Sequence, residues 1–225
     1  MENFTIIETI LRDRSDFFAE IRDGVGLRDK INAMLLSSFA FLAIYGAVMG
    51  AGHSFLQAVS SFFKLPVLYL VTLLICVPSL HYFNILFGSR QTLSQTIALI
   101  LTAISTTSVL MVSLAPITLF FLLTSNDYQF FKLLNVTFLA IASFLGVSFL
   151  RQGMRAVTAA DDQGRGARRY IFSMWIFLYG FVGSQMAWTL RRFMGRPGSP
   201  YSLFLERGGN FYADVASTIA QVLGF

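Results

Sequence analysis

The chain has 225 residues, of which 55% are hydrophobic and only 13% are charged. An average soluble domain carries about 25% charged residues, so this composition argues against a water-soluble fold. The net charge is +5, but the basic residues cluster beside long apolar runs, which argues against nucleic-acid binding and favours contact with membrane lipids.

Residues 1–30 are predicted to form a cytoplasmic amphipathic segment, with apolar residues at three- and four-residue steps. Glu8, Arg12 and Asp13 interrupt any apolar core of a signal peptide, so the first span should act as its own insertion signal. Such a helix lies along the membrane, docks onto a partner or covers the protein's own loops. The pattern does not choose among these.

Long uncharged runs predict an all-α fold, a polytopic transmembrane helical bundle of about five spans with amphipathic interfacial helices at both ends. Roughly 20 apolar residues, rising about 1.5 Å each, cross a hydrocarbon core of about 30 Å. The transmembrane domain is predicted over residues 31–190. Its spans cover residues 33–52, 66–88, 95–123, 131–150 and 170–190.

Three stretches depart from simple spans. Residues 53–63 are predicted to be a short amphipathic segment that lies flat on the outer surface. Pro78 should kink the second span and free a carbonyl that neighbouring groups must satisfy. The run 91–126 is too long for one perpendicular helix, so it tilts, overhangs, breaks near Pro116 or crosses twice.

Residues 191–225 form a C-terminal interfacial tail that opens with turn-forming glycines and prolines and ends in a helix from Asn210 onward. That helix should lie on the membrane or on the outer loops. Its predicted apolar side carries Tyr212, Val215, Ile219 and Val222.

Small residues at four-residue spacing predict where helices approach one another, because small side chains allow close backbone contact in lipid. The predicted helix-packing residues are Gly46, Gly50, Ala142, Gly146, Gly180 and Ser184. The GxxxG pair of Gly46 and Gly50 fits internal packing or a subunit interface.

The distribution of Lys and Arg predicts the orientation. With five spans and the N-terminus inside, eleven Lys and Arg residues flank the inner ends and six flank the outer ends. This favours a multi-pass membrane protein with its N-terminus in the cytoplasm and its C-terminus outside. The basic cluster after the fifth span argues the other way.

No ionised side chain lies in the middle of a predicted span, which argues against an ion-coupled transporter. The uncharged polar residues either line a path for a solute or bond to backbone carbonyls and neighbouring helices. The residues of this possible polar path are Thr102, Ser105, Thr106, Ser113, Asn84 and Asn135.

The sequence shows no combination of residues typical of a catalytic site or a metal site. The only cysteine, Cys76, lies in an apolar run, and neither histidine has an acidic neighbour within a span, so we expect no enzyme, no metal site and no cofactor. The one weak exception is His81, which could ligate haem or a pigment but more often forms an interhelical hydrogen bond. Both histidines cannot bind one cofactor, because His53 lies at the outer end of the first span whereas His81 lies late in the second, about 25 Å away in depth.

Two runs carry a resemblance to known proteins. The segment KLPVLYLVTLLICVPSLHYFNILFGS at 64–89 and the segment GSQMAWTLRRFMG at 183–195 resemble uncharacterised multispan inner-membrane proteins of bacteria. No activity follows from this resemblance, but it implies a location in a bacterial cytoplasmic (inner) membrane. The arrangement of spans is also similar, in topology alone, to the Yip-type proteins of vesicle trafficking.

These features lead to three hypotheses. The first is a non-catalytic scaffold, assembly factor or accessory subunit that contacts lipids and other membrane subunits or self-associates. The alternative is a channel or carrier for an ion or a small uncharged solute. The weaker alternative is a haem-, pigment- or quinone-binding subunit that uses His81.

Overall fold

The computed structural model describes residues 2–86, 88–125, 127–158, 165–190, 193 and 210–223. These residues form helices and no strands, so the predicted all-α class is confirmed. The helices are α1 (Glu2–Arg12), α2 (Arg14–Asp23), α3 (Leu27–Gly50), α4 (Phe55–Leu86), α5 (Leu93–Thr124), α6 (Tyr128–Val157), α7 (Arg165–Thr189) and α8 (Phe211–Leu223). The turn-forming part of the tail, at 194–209, lies outside the described residues.

Five of these helices, α3 to α7, are long and apolar enough to cross a membrane. They pack as the pairs α3–α4, α3–α5, α5–α6 and α4–α7, so α3 and α5 form the centre while α6 and α7 lie on the flanks. We call the end of the bundle that carries α1 and α2 the proximal end. The opposite end, where α3 terminates and α8 lies, is the distal end.

The N-terminal segment consists of two helices that pack against the proximal end. Phe17, Phe18 and Ile21 of α2 are buried, and the ring of Phe18 occupies the space that Gly153 of α6 leaves open. Gly24 ends α2 in the left-handed conformation, with φ of 78°, which glycine adopts at little cost. The apolar face of this segment therefore covers the protein's own bundle.

Polar groups fix the same contact. Gln95, near the start of α5, donates hydrogen bonds from Nε2 to the carbonyl oxygens of Ile21 and Arg22, at 3.1 and 2.7 Å. The guanidinium carbon of Arg14 lies 4.3 Å from the ring centroid of Phe149 on α6, a cation–π distance. The hydrogen bonds from Gln95 cap the last carbonyls of α2, so α1 and α2 pack on the bundle as part of the fold.

The second span begins earlier than the sequence indicates. The prediction that residues 53–63 form a separate surface segment is wrong, because α4 runs unbroken from Phe55 to Leu86 with Pro66 and Pro78 inside it. Gln57 and Ser61 are buried because α4 meets the glycines of α3 there. The polar side of this stretch faces a neighbouring helix rather than water.

The long third stretch is one helix. α5 contains 32 residues, passes through Pro116 without ending, and starts with a capping box between Thr92 and Gln95. At about 1.5 Å per residue it spans roughly 48 Å, more than a hydrocarbon core of about 30 Å, so it must tilt or overhang. One unbroken helix can cross only once, so the described residues contain five candidate spans.

Glycines set the distance between the central helices. An added Cβ at Gly50 would lie 2.6 Å from the carbonyl oxygen of Gln57, and one at Gly46 would collide with the backbone of Ser61. On the other flank, an added Cβ at Gly146 would lie 2.6 Å from the carbonyl oxygen of Ala103. At these points α3 meets α4 and α6 meets α5 backbone to backbone.

The remaining small residues behave differently. Ala142 is buried on the same face of α6 as Gly146, and its carbonyl oxygen lies 3.3 Å from the hydroxyl of Thr107. Gly180 is exposed, and no described atom outside its own helix neighbourhood lies within 4 Å of the place where its Cβ would be. Ser184 meets α8 through Tyr212. The structure therefore places no helix contact at Gly180.

Replacing Gly146 by Ala should destabilise the protein by about 1–3 kcal/mol, because the new methyl group overlaps the backbone of α5. Gly180→Ala is the matched control: its methyl group meets nothing, and alanine favours a helix more than glycine does. Unfolding of the purified protein in mixed micelles by a denaturing detergent, followed by circular dichroism, measures both. Equal stability of Gly146→Ala and the parent would contradict close packing of α5 and α6.

Candidate functional site

The hydroxyl-rich part of α5 is buried and internally bonded. Thr102, Thr106 and Thr107 each donate to a carbonyl oxygen one turn earlier, at 2.8 to 2.9 Å. The hydroxyl of Ser105 lies 2.9 Å from that of Ser38 on α3. A hydroxyl that bonds to its own backbone needs no water, so these residues suit a dry helix interface.

A second polar cluster joins three helices in the distal half. The phenol of Tyr45 on α3 donates to Oδ1 of Asn135 on α6 at 2.7 Å and lies 3.2 Å from the hydroxyl of Thr118 on α5. Nδ2 of Asn135 donates to the carbonyl oxygen of Phe131 at 2.8 Å. All three side chains are buried, and each finds a partner. The cluster links α3, α5 and α6 by directional bonds.

The residues predicted to line one polar path are not brought together. Asn84 is buried near the proximal end, where its amide donates to Gln91 at 3.1 Å. Ser113 is exposed on the surface of α5 and bonds to the carbonyl oxygen of Val109. Asn135 belongs to the distal cluster, and only Thr102, Ser105 and Thr106 adjoin one another.

His81 is half-buried near the proximal end of α4. Its Nδ1 lies 3.3 Å from the hydroxyl of Thr96 on α5, as expected for an interhelical hydrogen bond. His53 lies in the turn before α4, and the rise from Phe55 to His81 is about 39 Å. The two imidazoles therefore cannot share a ligand. Among the described residues no group of three His, Cys, Asp or Glu side chains could hold a metal ion.

The fifth span is attached at the proline of the second. The indole Nε1 of Trp175 on α7 donates to the carbonyl oxygen of Cys76 at 3.2 Å and to the hydroxyl of Ser79 at 3.0 Å. Both acceptors lie within two residues of Pro78. The rings of Phe172 and Tyr179 stack on either side of the indole, with centroids 6.1 and 5.3 Å away. One buried tryptophan thus anchors α7 to α4.

Opposite this anchor, α7 presents a broad apolar face. Among the residues of α7 whose burial the structure describes, only Trp175 is buried, whereas 16 of the 32 residues of α5 are. The side chain of Phe177 is 79% exposed and points away from Trp175. The exposed face consists of Tyr170, Met174, Phe177, Gly180 and Phe181.

Sequence reasoning missed Tyr45 and Trp175. A signal existed for both, since a phenol or an indole within a span requires a hydrogen-bond partner when it is buried. The partner could not be inferred, because Cys76 and Asn135 lie 99 and 90 residues away along the chain.

The chain matches no protein-family model, no curated protein and no solved structure. The resemblance of 64–89 and 183–195 to bacterial multispan proteins stays a prediction.

Removing the hydroxyl of Tyr45 should test the distal cluster. Tyr45→Phe leaves Oδ1 of Asn135 without its donor, so we expect a loss of about 1 kcal/mol in the free energy of unfolding. Tyr82→Phe is the control, because Tyr82 is 66% exposed on the surface of α4. Detergent-induced unfolding of both variants is the measurement, and equal effects at the two positions would argue against the cluster as a structural link.

Proposed function

We propose that this protein is a non-catalytic accessory or scaffold subunit of a membrane complex, and that α7 is the helix that binds its partner. The observation that carries the proposal is the contrast between α7 and the other spans. Among the residues of α7 whose burial is described only Trp175 is fully buried, and one apolar face of the helix, at Met174, Phe177 and Phe181, is exposed.

The chemistry of the exposed face supports a partner helix. Association in lipid depends on close packing, interhelical hydrogen bonds and small residues. Gly180 leaves its part of the helix open, with Phe177 and Phe181 beside it. A transmembrane helix of another protein could approach the backbone there while the aromatic rings pack around it. This is the one occupant that we propose.

The interior supports a packing role over transport. The hydroxyls at Thr102, Thr106 and Thr107 are bonded to backbone carbonyls within the bundle. Movement of a solute along them would require these bonds to break. The distal cluster is likewise bonded within itself. These contacts use the polar groups that a channel or carrier would present to its solute.

The N-terminal helices are unsuited to recruit the partner. Their buried residues, including Phe17 and Ile21, already contact the bundle. Exposing that face would remove about 1.5–3 kcal/mol of burial per large side chain. The partner-binding surface is therefore assigned to α7 rather than to the N-terminal segment.

The same proposal includes a location. We place the protein in a bacterial cytoplasmic membrane, with the proximal end inside and the distal end outside. The bias of Lys and Arg towards the proximal flanks supports this orientation. Five crossings put α1 and α8 at opposite ends of the bundle, as the orientation requires.

Site-specific photo-crosslinking in cells of the source organism tests the proposal. A photoreactive amino acid at Phe177 should crosslink to one defined membrane polypeptide, and Gly180→Leu should reduce that yield. The matched control is Phe144 on α6, a phenylalanine that is 69% exposed. It should crosslink to lipid alone.

Partner contact should follow the helical repeat. Met174 and Phe181 share the face of Phe177, so photoreactive groups there should give the same product, whereas Ile176 on another side should not. Lipid adducts alone at every position, with recovery of a monomer after gentle extraction, would refute the proposal.

A further inference from the structure

Helix α8 has three sides with different surroundings. Consecutive residues on a helix point about 100° apart, so Ser217 and Ile219 lie on opposite flanks of Thr218. Thr218 is buried against the bundle. Ile219, together with Tyr212, gives an exposed apolar side, whereas Ser217 and Gln221 give an exposed polar side. The side that contacts the protein lies between these two.

Polar bonds fix α8 in this rotation. The ammonium group of Lys132 on α6 lies 2.6 Å from the carboxylate of Asp214 and donates to the hydroxyl of Thr218 at 2.9 Å. The phenol oxygen of Tyr212 lies 2.9 Å from the hydroxyl of Ser184 on α7. We call the Lys132, Asp214 and Thr218 group the clasp. With the clasp in place Ile219 is exposed, and Tyr212 is half-exposed with its phenol oxygen on Ser184.

By helix length, the clasp would lie near the edge of a hydrocarbon core that α6 crosses. Lys132 is the fifth residue of α6, about 6 Å of helix rise from its distal end. α6 contains 30 residues, about 45 Å of helix, so its ends extend beyond a hydrocarbon core of about 30 Å. Lysine and tyrosine side chains are typical of this boundary.

From this geometry we propose that α8 binds the lipid surface at the distal end of the bundle. Tyr212 and Ile219 enter the edge of the hydrocarbon, and Ser217 and Gln221 face water. The apolar and polar sides lie about 200° apart across the protein contact, the arrangement that an amphipathic helix needs at an interface. The clasp sets the depth and rotation of the helix.

The clasp has a second consequence. α6 and α7 are not a packed pair among the described residues, yet α8 contacts both of them. The helix therefore links the two flanking spans at the distal end. Lipid binding by α8 and the position of α7 are coupled through Lys132 on one side and Ser184 on the other.

An environment-sensitive fluorophore at single cysteines tests the proposal. In the full chain carrying Cys76→Ala, Ile219→Cys and Ser217→Cys provide neighbouring positions on opposite flanks. The labelled protein alone is reconstituted into vesicles of phosphatidylethanolamine and phosphatidylglycerol. Spin-labelled lipid should quench Ile219 several-fold more than Ser217, and aqueous iodide should show the reverse preference.

The outcomes are decisive in both directions. Equal quenching at the two positions, whether by lipid or by iodide, would overturn the proposal. Asp214→Asn breaks the ion pair of the clasp and should reduce the difference between the positions. If Cys76→Ala does not fold, Cys76 can be kept, because its thiol is buried and labels slowly. No partner is present, so failure here would leave the role of α7 untouched.

Discussion

In a bilayer the backbone has no water to bond with, so polar groups within the spans must find partners inside the protein. The central bundle meets this constraint by bringing backbones together at Gly46, Gly50 and Gly146, where a single methyl group would not fit. At that distance a hydroxyl such as that of Thr107 reaches both its own helix and the carbonyl oxygen of Ala142 on the next. The close approach of the helices therefore also provides hydrogen-bond partners for the buried polar groups.

The fifth span obeys the same constraint with fewer contacts. Its indole at Trp175 donates to the carbonyl oxygen of Cys76 and to the hydroxyl of Ser79 on α4. Ile176, Val182 and Met186 of α7 add apolar contacts to the core. Under the proposed function, binding at the outer face of α7 would not require the central helices to separate.

The two ends of the chain use amphipathic helices in opposite ways. At the proximal end, α2 turns its apolar residues Phe17 and Phe18 into the bundle. At the distal end, α8 turns Asp214 and Thr218 towards Lys132 and leaves Tyr212 and Ile219 uncovered. Periodicity predicts both helices, but it does not say which side meets protein. For α8, Lys132 on α6 determines which side faces the protein. For α2, the space beside Gly153 of α6, which the ring of Phe18 fills, determines it.

The sequence by itself predicted the approximate positions of the spans, because hydrocarbon tolerates only long runs without ionised side chains, but it left the number of crossings by 91–126 open. It also singled out the glycines of α3 and α6, since residue size is local information. Only the tertiary structure decided that α4 includes residues 55–63, that 93–124 is one helix, and that Gly180 lies on an open face. It alone paired Tyr45 with Asn135. These contacts depend on which helices become neighbours. Local periodicity cannot predict them, because the partners lie far apart in the chain.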